Sequence, residues 1–184
     1  MTSVDDNHED SGGDAGDLQE LTRRLQNWRP DQIGTLMFLH DRDRVLLIRK
    51  RRGHGAGKIN GPGGKPEAGE TPLQCVLRET AEEVGVAVHD PWLAGVFRFL
   101  DTRAADWLGY IYLATDFSGE PRTTPEAIPG WYARHALPFE EMWDDDRLWL
   151  PRLLAGEHLT GDFLFTGGWL LAHRLRRLTP ADAL

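Results

Sequence analysis

The hydrophobic residues of this chain recur with two different spacings, which predict strands and helices in alternation. Residues 17–28 place a leucine or tryptophan every three or four positions, and this spacing predicts a short amphipathic helix. Two apolar runs, residues 33–40 and 44–50, have the length and composition of strands. Because only Asp41-Arg42-Asp43 separates the two runs, we predict that they form a hairpin.

The pattern continues to the end of the chain without an internal repeat. Residues 51–70 form a glycine-rich loop, and residues 72–84 carry the spacing of a strong helix. The remaining elements predicted are strands near 94–100, 107–117, 129–134 and 161–165, a helix at about 144–155 and a helix-like segment at the C-terminus. Mixed strands with helices on both sides predict an α/β sandwich with a mixed sheet, formed by one domain over residues 17–184.

The acidic residues are concentrated at the N-terminus. Residues 1–20 contribute −7 of the net charge of −8, which leaves −1 for the rest of the chain. We predict that residues 1–16, which are small, polar and acidic, form a disordered tail. A nearly neutral domain without a basic stripe gives no reason to expect a stable nucleic-acid partner.

Other features of the composition point to the cytoplasm. The first residues, MTSVDDNHEDSGG, include neither the basic nor the apolar region of a secretory signal, and no apolar run is long enough to span a membrane. Cys75 is the single cysteine, so neither an internal disulfide nor a multi-cysteine zinc site is possible.

The central helix has clear sequence boundaries. Thr71 suits the N-cap, Pro72 the first helical position, and Gln74 completes a capping box, while Gly85 provides the C-terminal stop. Helical spacing predicts one buried face, made of Leu73, Val76, Leu77, Thr80, Ala81 and Val84.

Three glutamates, Glu79, Glu82 and Glu83, occupy the arc of this helix beside the apolar face. A solvated acidic face is the ordinary interpretation of such a cluster. Here, however, the helix follows the loop Gly61-Pro62-Gly63-Gly64-Lys65, whose backbone can approach closely and offer carbonyl oxygens. Clustered carboxylates beside such a loop are suited to Mg²⁺, which is held by carboxylates together with substrate phosphates.

The segment from Gly64 to Val86 resembles the Nudix box, G-x5-E-x7-R-E-U-x-E-E-x-G-U, in which U is a bulky aliphatic residue. The positions in register are Gly64, Glu70, Arg78, Glu79, Glu82, Glu83, Gly85 and Val86. Thr80 at the first U position is a mild departure, since threonine still packs. The resemblance implies a Nudix-type α/β/α sandwich and a hydrolase of nucleoside diphosphate linkages.

The same resemblance implies roles for the residues of the box. Glu79 and Glu83 would bind Mg²⁺, for which Mn²⁺ could substitute, with help from Glu82 and the backbone carbonyl of Gly63. Arg78 would orient carboxylates such as that of Glu70. Glu82 and Glu83 are both candidates for the general base, and coupled titration prevents a choice between them.

Two further residues have an open interpretation. Glu126 precedes the strand that begins near Ile128, where MutT-like relatives carry another metal-binding or basic glutamate, although a lone loop glutamate is usually without such a role. Lys65 either contacts phosphate or is an ordinary loop lysine.

Outside the box, the chain resembles the MutT-like branch that hydrolyses oxidised purine nucleoside triphosphates. Three segments carry this resemblance, residues 52–65, 138–154 and 159–167. It extends over roughly residues 33–168, and leaves out the N-terminal tail and the helix-like segment at the C-terminus.

The resemblance implies that the purine base is recognised by four residues, Asn60, Trp143, Asp145 and Asp146. An indole offers a stacking face, and an amide beside carboxyl groups offers donors and acceptors to a purine edge. The alternative is that the aspartates cap the helix that follows them.

Departures from this branch affect the base rather than the catalytic set. His54 stands where relatives carry a phenyl group, and Asp144 replaces a proline. Phe97 and Phe99 share one face of a strand, and either line the pocket or belong to the core.

Together these observations predict a Mg²⁺-dependent enzyme that converts a nucleoside triphosphate, such as 8-oxo-dGTP, to the monophosphate and pyrophosphate, acting as a monomer or weak dimer. Two alternatives remain, a Nudix hydrolase of another nucleotide (dGTP, dCTP, ADP-ribose or an RNA 5′ end) and a catalytically silent nucleotide-binding regulator. The intact set of box carboxylates argues against the silent module.

Overall fold

The computed structural model describes residues 9–182 of the chain. Its α-helices are α1 (Ala15–Leu25), α2 (Pro72–Val84) and α3 (Asp146–Leu154), and two short 3-10 helices cover Phe139–Glu141 and Pro180–Asp182. Its strands are β1 (Asp10–Gly12), β2 (Gln32–Leu39), β3 (Arg44–Lys50), β4 (Ile59–Asn60), β5 (Ala87–His89), β6 (Trp92–Asp101), β7 (Trp107–Ala114), β8 (Asp116–Ser118), β9 (Ala127–Ala133), β10 (Leu159–Thr166) and β11 (Trp169–Arg177).

A mixed sheet with helices on both faces dominates the fold. The large sheet has the order β1-β11-β10-β6-β7-β2, with β4-β3-β9 and β5-β8 as smaller sheets. β2 lies parallel to β7 and β10 parallel to β6, whereas the other neighbours in the large sheet are antiparallel. The predicted α/β sandwich with a mixed sheet is therefore confirmed.

The apolar core divides according to the helix that covers it. Trp149 of α3 packs among the aromatic side chains of the large sheet, including Phe97 and Phe163. Val76 of α2 belongs to a second cluster, and Leu21 of α1 is buried in a third cluster on another part of the sheet. Each helix thus buries one apolar stripe, which is the arrangement that a layered α/β fold requires.

The prediction of a hairpin over residues 33–50 is wrong. The Asp41 carboxylate accepts hydrogen bonds from the N–H groups of Asp43 and Arg44, at 2.9 and 2.7 Å, and this turn reverses the chain as expected. Beyond one isolated bridge, between His40 and Val45, the two strands do not pair. β2 pairs with β7 and β3 with β9, in different sheets, because each strand is apolar on both faces and is buried by partners from distant parts of the chain.

Both ends of the described chain differ from the prediction. β1 pairs antiparallel with β11, and α1 begins at Ala15 with the Asp14 carboxylate as its cap, so a disordered tail over residues 1–16 is wrong for its second half. Residues 1–8 lie outside the part that the structure describes. The C-terminal segment predicted as helix-like is instead β11, since its apolar residues pack against β10.

Helix α2 begins and ends where the sequence predicts. Thr71 and Gln74 form the capping box, and Gly85 adopts a left-handed φ of 74° at the C-terminus. The buried face is rotated relative to the prediction, because Leu73 and Ala81 are exposed whereas Cys75 and Glu83 are buried. This rotation brings one glutamate of the acidic arc into the interior.

No helix within residues 9–182 has both the length and the apolar character needed to cross a lipid bilayer.

Candidate active site

A cleft of about 560 Å³ opens between the glycine-rich loop, the large sheet and the start of α3. The five residues predicted to bind substrate all line it, namely Asn60, Lys65, Trp143, Asp145 and Asp146. Gly63 and Gly64 also line the cleft. Glu79 and Glu83, two of the carboxylates predicted to bind metal, lie behind these two glycines on α2.

Backbone hydrogen bonds hold the glycine-rich loop against β2. The N–H of Thr35 donates to the carbonyl of Gly64, at 2.9 Å, and that of Met37 to the carbonyl of Pro62, at 2.8 Å. A Cβ atom on Gly63 would overlap the carbonyl oxygen of Thr35. Glycine is required at this position by the close approach of two backbones.

Glu83 is the buried member of the acidic arc, with only 1% of its surface exposed. Its carboxylate accepts a hydrogen bond of 2.8 Å from the N–H of Gly63, and the Nζ atom of Lys50 lies 3.5 Å from its other oxygen. Burial raises the pKa of Glu83, while the Lys50 charge and the Gly63 N–H oppose that rise. Lys50 also donates to the carbonyl of Gly63, at 3.3 Å, so its ammonium lies between two predicted metal ligands.

Arg78 holds the other carboxylates of the box. It donates two hydrogen bonds to Glu70, at 2.8 and 2.9 Å, and further ones to Glu79 at 2.9 Å and Glu82 at 3.2 Å. The bidentate contact holds the pKa of Glu70 down at about 2. The predicted pairing of Arg78 with Glu70 is thus present.

The predicted metal ligands have the right chemistry, although their side chains do not converge. In the part of the chain described, no three His, Cys, Asp or Glu side chains gather closely enough to hold an ion. The carboxylates of Glu79 and Glu82 are instead hydrogen-bonded to Arg78, and that of Glu83 lies beside Lys50. Hard cations need oxygen ligands. Glu79 lies against Gly64 and Glu83 against Gly63, so the two carboxylates border one loop, and oxygen donors of this kind fit a divalent cation.

Glu126 lies apart from the cleft wall. Its carboxylate is partly exposed and forms an ion pair with Arg52. The loop that carries it does contact α2, since the hydroxyl of Thr124 donates to the carbonyl of Glu83, at 2.9 Å. A metal or base role for Glu126 stays a prediction.

Asp145 and Asp146 form a buried acidic pair at the start of α3. Asp145 accepts a hydrogen bond of 2.8 Å from the indole N–H of Trp149, and Asp146 accepts one of 3.0 Å from the backbone N–H of Trp143. Asp145 occupies the N-cap position, but its side chain makes no capping hydrogen bond. The Asp145 carboxylate therefore does not cap the helix, which was the alternative interpretation of these aspartates.

Burial of this pair has an electrostatic consequence. It raises the pKa of Asp145 to about 6, and burial together with the charge of Asp145 raises the pKa of Asp146 well above its ordinary value. Because the indole N–H of Trp149 favours the ionised form of Asp145, we assign the retained proton to Asp146. The protonated carboxyl of Asp146 can then donate a hydrogen bond, whereas the carboxylate of Asp145 can only accept one.

Three aromatic rings stand together at the far end of the cleft. The imidazole of His54 is stacked on Trp107, with ring centroids 4.8 Å apart, and on Trp143, 5.5 Å apart. The ammonium of Lys65 lies 4.7 Å from the Trp107 ring centroid, so this lysine faces the aromatic group.

Two of the cleft residues, Trp107 and Lys50, were missed by sequence reasoning. Trp107 begins β7 and Lys50 ends β3, and each stands in an ordinary strand pattern. The only sequence feature that marks Lys50 is its place just before the glycine-rich loop. The open question about the phenylalanines is answered by burial, since Phe97 is fully buried in the core whereas Phe99 lines the cleft.

Comparison with known proteins gives a consistent result. A family model described as the NUDIX domain matches residues 30–153. An oxidized purine nucleoside triphosphate hydrolase of Danio rerio is 39% identical over 134 residues, which is 72% of this chain and 86% of that protein. The protein of the same name from Mus musculus is 34% identical over 149 residues, which is 80% of this chain and 96% of that one. The crystal structure of a MutT protein from Bacillus halodurans has a TM-score of 0.68 at 33% identity and covers 78% of this chain and 97% of its own.

Proposed function

Because the chain belongs to the NUDIX domain family, we propose that it hydrolyses oxidised purine nucleoside triphosphates, such as 8-oxo-dGTP, to the monophosphate and pyrophosphate. The resemblance to this family and to its MutT-like branch, predicted from residues 33–168, is confirmed by the family match and by the named relatives. The names of the zebrafish and mouse relatives support the substrate class.

The observation that carries the proposal is that one cleft joins two kinds of group. At one end, the loop Gly63-Gly64 covers the carboxylates of Glu79 and Glu83. At the other end stand Trp143 and the buried aspartate pair. A nucleotide needs both, since its phosphates require cations whereas its base requires stacking and polar contacts.

We assign the phosphate end to metal and lysine together. Glu79, Glu83 and the carbonyl of Gly63 would hold the metal, assisted by Glu82, and Glu126 is a further candidate. A bound Mg²⁺ would neutralise the triphosphate and lower the pKa of a water molecule. Lys50 lines the cleft beside Gly63 and adds a positive charge for the phosphates. Water adds to phosphorus, the bridging P–O bond between the α and β phosphates breaks, and Glu82 or Glu83 accepts the proton.

We assign the base end to Asn60, Trp143, Asp145 and Asp146. Trp143 supplies the stacking face, and Asn60 adds an amide at the cleft wall. With one proton between them, the two aspartates offer both a donor and an acceptor, and they suit an oxidised purine edge, which itself carries both. We also assign a nucleotide contact to Lys65, which lines the cleft with its ammonium over Trp107.

The remaining parts of the proposal concern the setting of the enzyme. We propose Mg²⁺ as the working ion with Mn²⁺ as a substitute, a cytoplasmic location, a monomer or weak dimer and no stable nucleic-acid partner. We further propose that residues 17–184 act as a single domain, to which β1 adds an edge strand.

Release of pyrophosphate from each triphosphate, and of AMP from ADP-ribose, tests the function in a panel of nucleotides. The panel contains 8-oxo-dGTP, 2-oxo-dATP, dGTP, dCTP, ADP-ribose and a triphosphate-ended RNA, each with Mg²⁺ and with chelator. We expect metal-dependent release that is fastest with an oxidised purine. If another member of the panel is hydrolysed faster, that nucleotide is the substrate in place of the oxidised purine. If no member is hydrolysed, a silent binding module is favoured.

A further inference from the structure

The imidazole of His54 occupies the space between two indoles at the base end of the cleft. Its ring plane is inclined by 26° to that of Trp107 and by 14° to that of Trp143, so both contacts are stacked. The three residues come from the glycine-rich loop, the start of β7 and the segment before α3. The slot between Trp107 and Trp143 therefore holds a flat nitrogen-containing ring, and this ring is stacked on both indoles.

The residues on both sides of His54 are glycines. Gly53 and Gly55 flank it with left-handed φ angles of 76° and 77°. A side chain on Gly53 would meet no neighbouring atom, so this side of the loop faces open space. Glycines on both sides of a residue allow the chain to reorient it without moving a strand.

The charges around the slot favour an uncharged ring inside it. Burial and the positive charges of Lys50 and Lys65 lower the pKa of His54, which keeps the imidazole neutral at physiological pH. The ammonium of Lys58 lies 5.3 Å from the centroid of Trp143, and Lys65 lies beside Trp107. The two ammonium groups thus lie beside the indoles, whereas the contacts of the imidazole with the indoles are stacking contacts.

We propose that His54 is a displaceable occupant of the Trp107–Trp143 slot, and that an incoming purine replaces it between the two indoles. This inference rests on the proposed function. A bicyclic purine covers more of each indole than a monocyclic imidazole, so exchange of one ring for the other is favourable. His54 then acts as a specificity-determining residue, because a base that stacks weakly fails to replace it.

Nuclear magnetic resonance of the full chain with ¹³C-labelled histidine tests the exchange directly. The His54 signal is assigned by its absence from His54→Phe. We expect its ring protons to lie upfield in the free protein, under the ring currents of two indoles. Titration with 8-oxo-dGMP, which carries the base and lacks the bond to be broken, is expected to return them to the position of an exposed histidine.

Steady-state kinetics give an independent measurement. We expect His54→Ala to lower KM for 8-oxo-dGTP severalfold with little change in kcat, and His54→Phe to raise KM, because phenyl is the more hydrophobic occupant. His135→Ala, at an exposed position, serves as the control.

The outcomes separate this inference from the proposed function. Suppose that the enzyme hydrolyses 8-oxo-dGTP, but the His54 protons stay upfield at saturating 8-oxo-dGMP or His54→Ala raises KM. The histidine is then a fixed part of the pocket wall, and this inference is overturned while the proposed function stands. A protein that binds no purine nucleotide overturns both.

Discussion

The backbone N–H of Gly63 donates a hydrogen bond of 2.8 Å to the carboxylate of Glu83, and thereby joins the glycine-rich loop to helix α2. Lys50 of β3 approaches the other carboxylate oxygen, at 3.5 Å. A buried carboxylate is tolerated only with such partners. This contact places the acidic helix against the cleft.

Replacement of Glu83 by glutamine removes the charge and keeps the shape. We expect kcat to fall about 10²–10⁴-fold, the range of a lost acid–base group. The fold should persist, because the amide can still accept the Gly63 hydrogen bond and burial disfavours the charged form. Pyrophosphate release and thermal unfolding measure the two effects, with the exposed Glu120→Gln as the control. A normal kcat in Glu83→Gln would remove Glu83 from the proposed metal set.

Gly64→Ala tests whether the position of Glu79 matters. A Cβ atom on Gly64 would overlap the carboxylate of Glu79, which must then leave Arg78 and the loop. We expect kcat to fall about 10–100-fold, as for a misplaced catalytic group, while circular dichroism stays unchanged. Gly16→Ala in the distant helix α1 is the control. Full activity in Gly64→Ala would show that Glu79 has no role at its present position.

Lys50→Gln is expected to strengthen metal binding in the absence of nucleotide. The ammonium contacts both Glu83 and the Gly63 carbonyl, so its removal leaves a buried carboxylate without a cation. We expect the affinity for Mn²⁺ to rise about three- to tenfold, the effect of about 1 kcal/mol from a partly exposed pair. Electron paramagnetic resonance of free Mn²⁺ measures it. Lys58→Gln, whose ammonium bonds to the carbonyl of Met142 instead, should leave the affinity unchanged.

Base recognition is expected to weaken as the pH rises. The pKa of Asp145 is raised to about 6 and that of Asp146 is raised well above its ordinary value, while the charge of Lys58 opposes both shifts. Asp146, to which we assign the retained proton, therefore carries that proton at low pH and loses it as the pH rises through its raised pKa. Loss of the proton removes the hydrogen-bond donor, so KM for 8-oxo-dGTP should increase from pH 6 to 9.

The variant Asp146→Asn tests whether loss of a proton from the aspartate pair causes the pH dependence of KM. The amide stays neutral and keeps a donor at every pH, so the KM profile of the variant should be nearly flat. Asp144→Asn, next to the pair, should retain a pH-dependent KM, although loss of the Asp144 charge lowers the pKa of Asp145. Parallel profiles for the unmodified enzyme and Asp146→Asn would assign the pH dependence to another group.

The local sequence determined those features that depend on interactions between residues only a few positions apart. Helix α2 begins at Pro72 and ends at Val84 as predicted, because the Thr71 capping box and the left-handed Gly85 act on adjacent turns. The fixed spacing of the box also indicated the family. The substrate residues predicted from the resemblance do share one cleft.

Only the tertiary structure decided which distant segments meet. β2 and β3 separate into different sheets, β1 and β11 complete the large sheet, and Lys50 and Trp107 join the cleft. β2 and β3 are each apolar enough to pair with several other strands, whereas β1, with the sequence Asp10-Ser11-Gly12, is short and polar. The local sequence therefore does not specify the partner of any of these strands. The choice among partners comes from burying all of the apolar surface at once, and that is a property of the whole chain rather than of any segment.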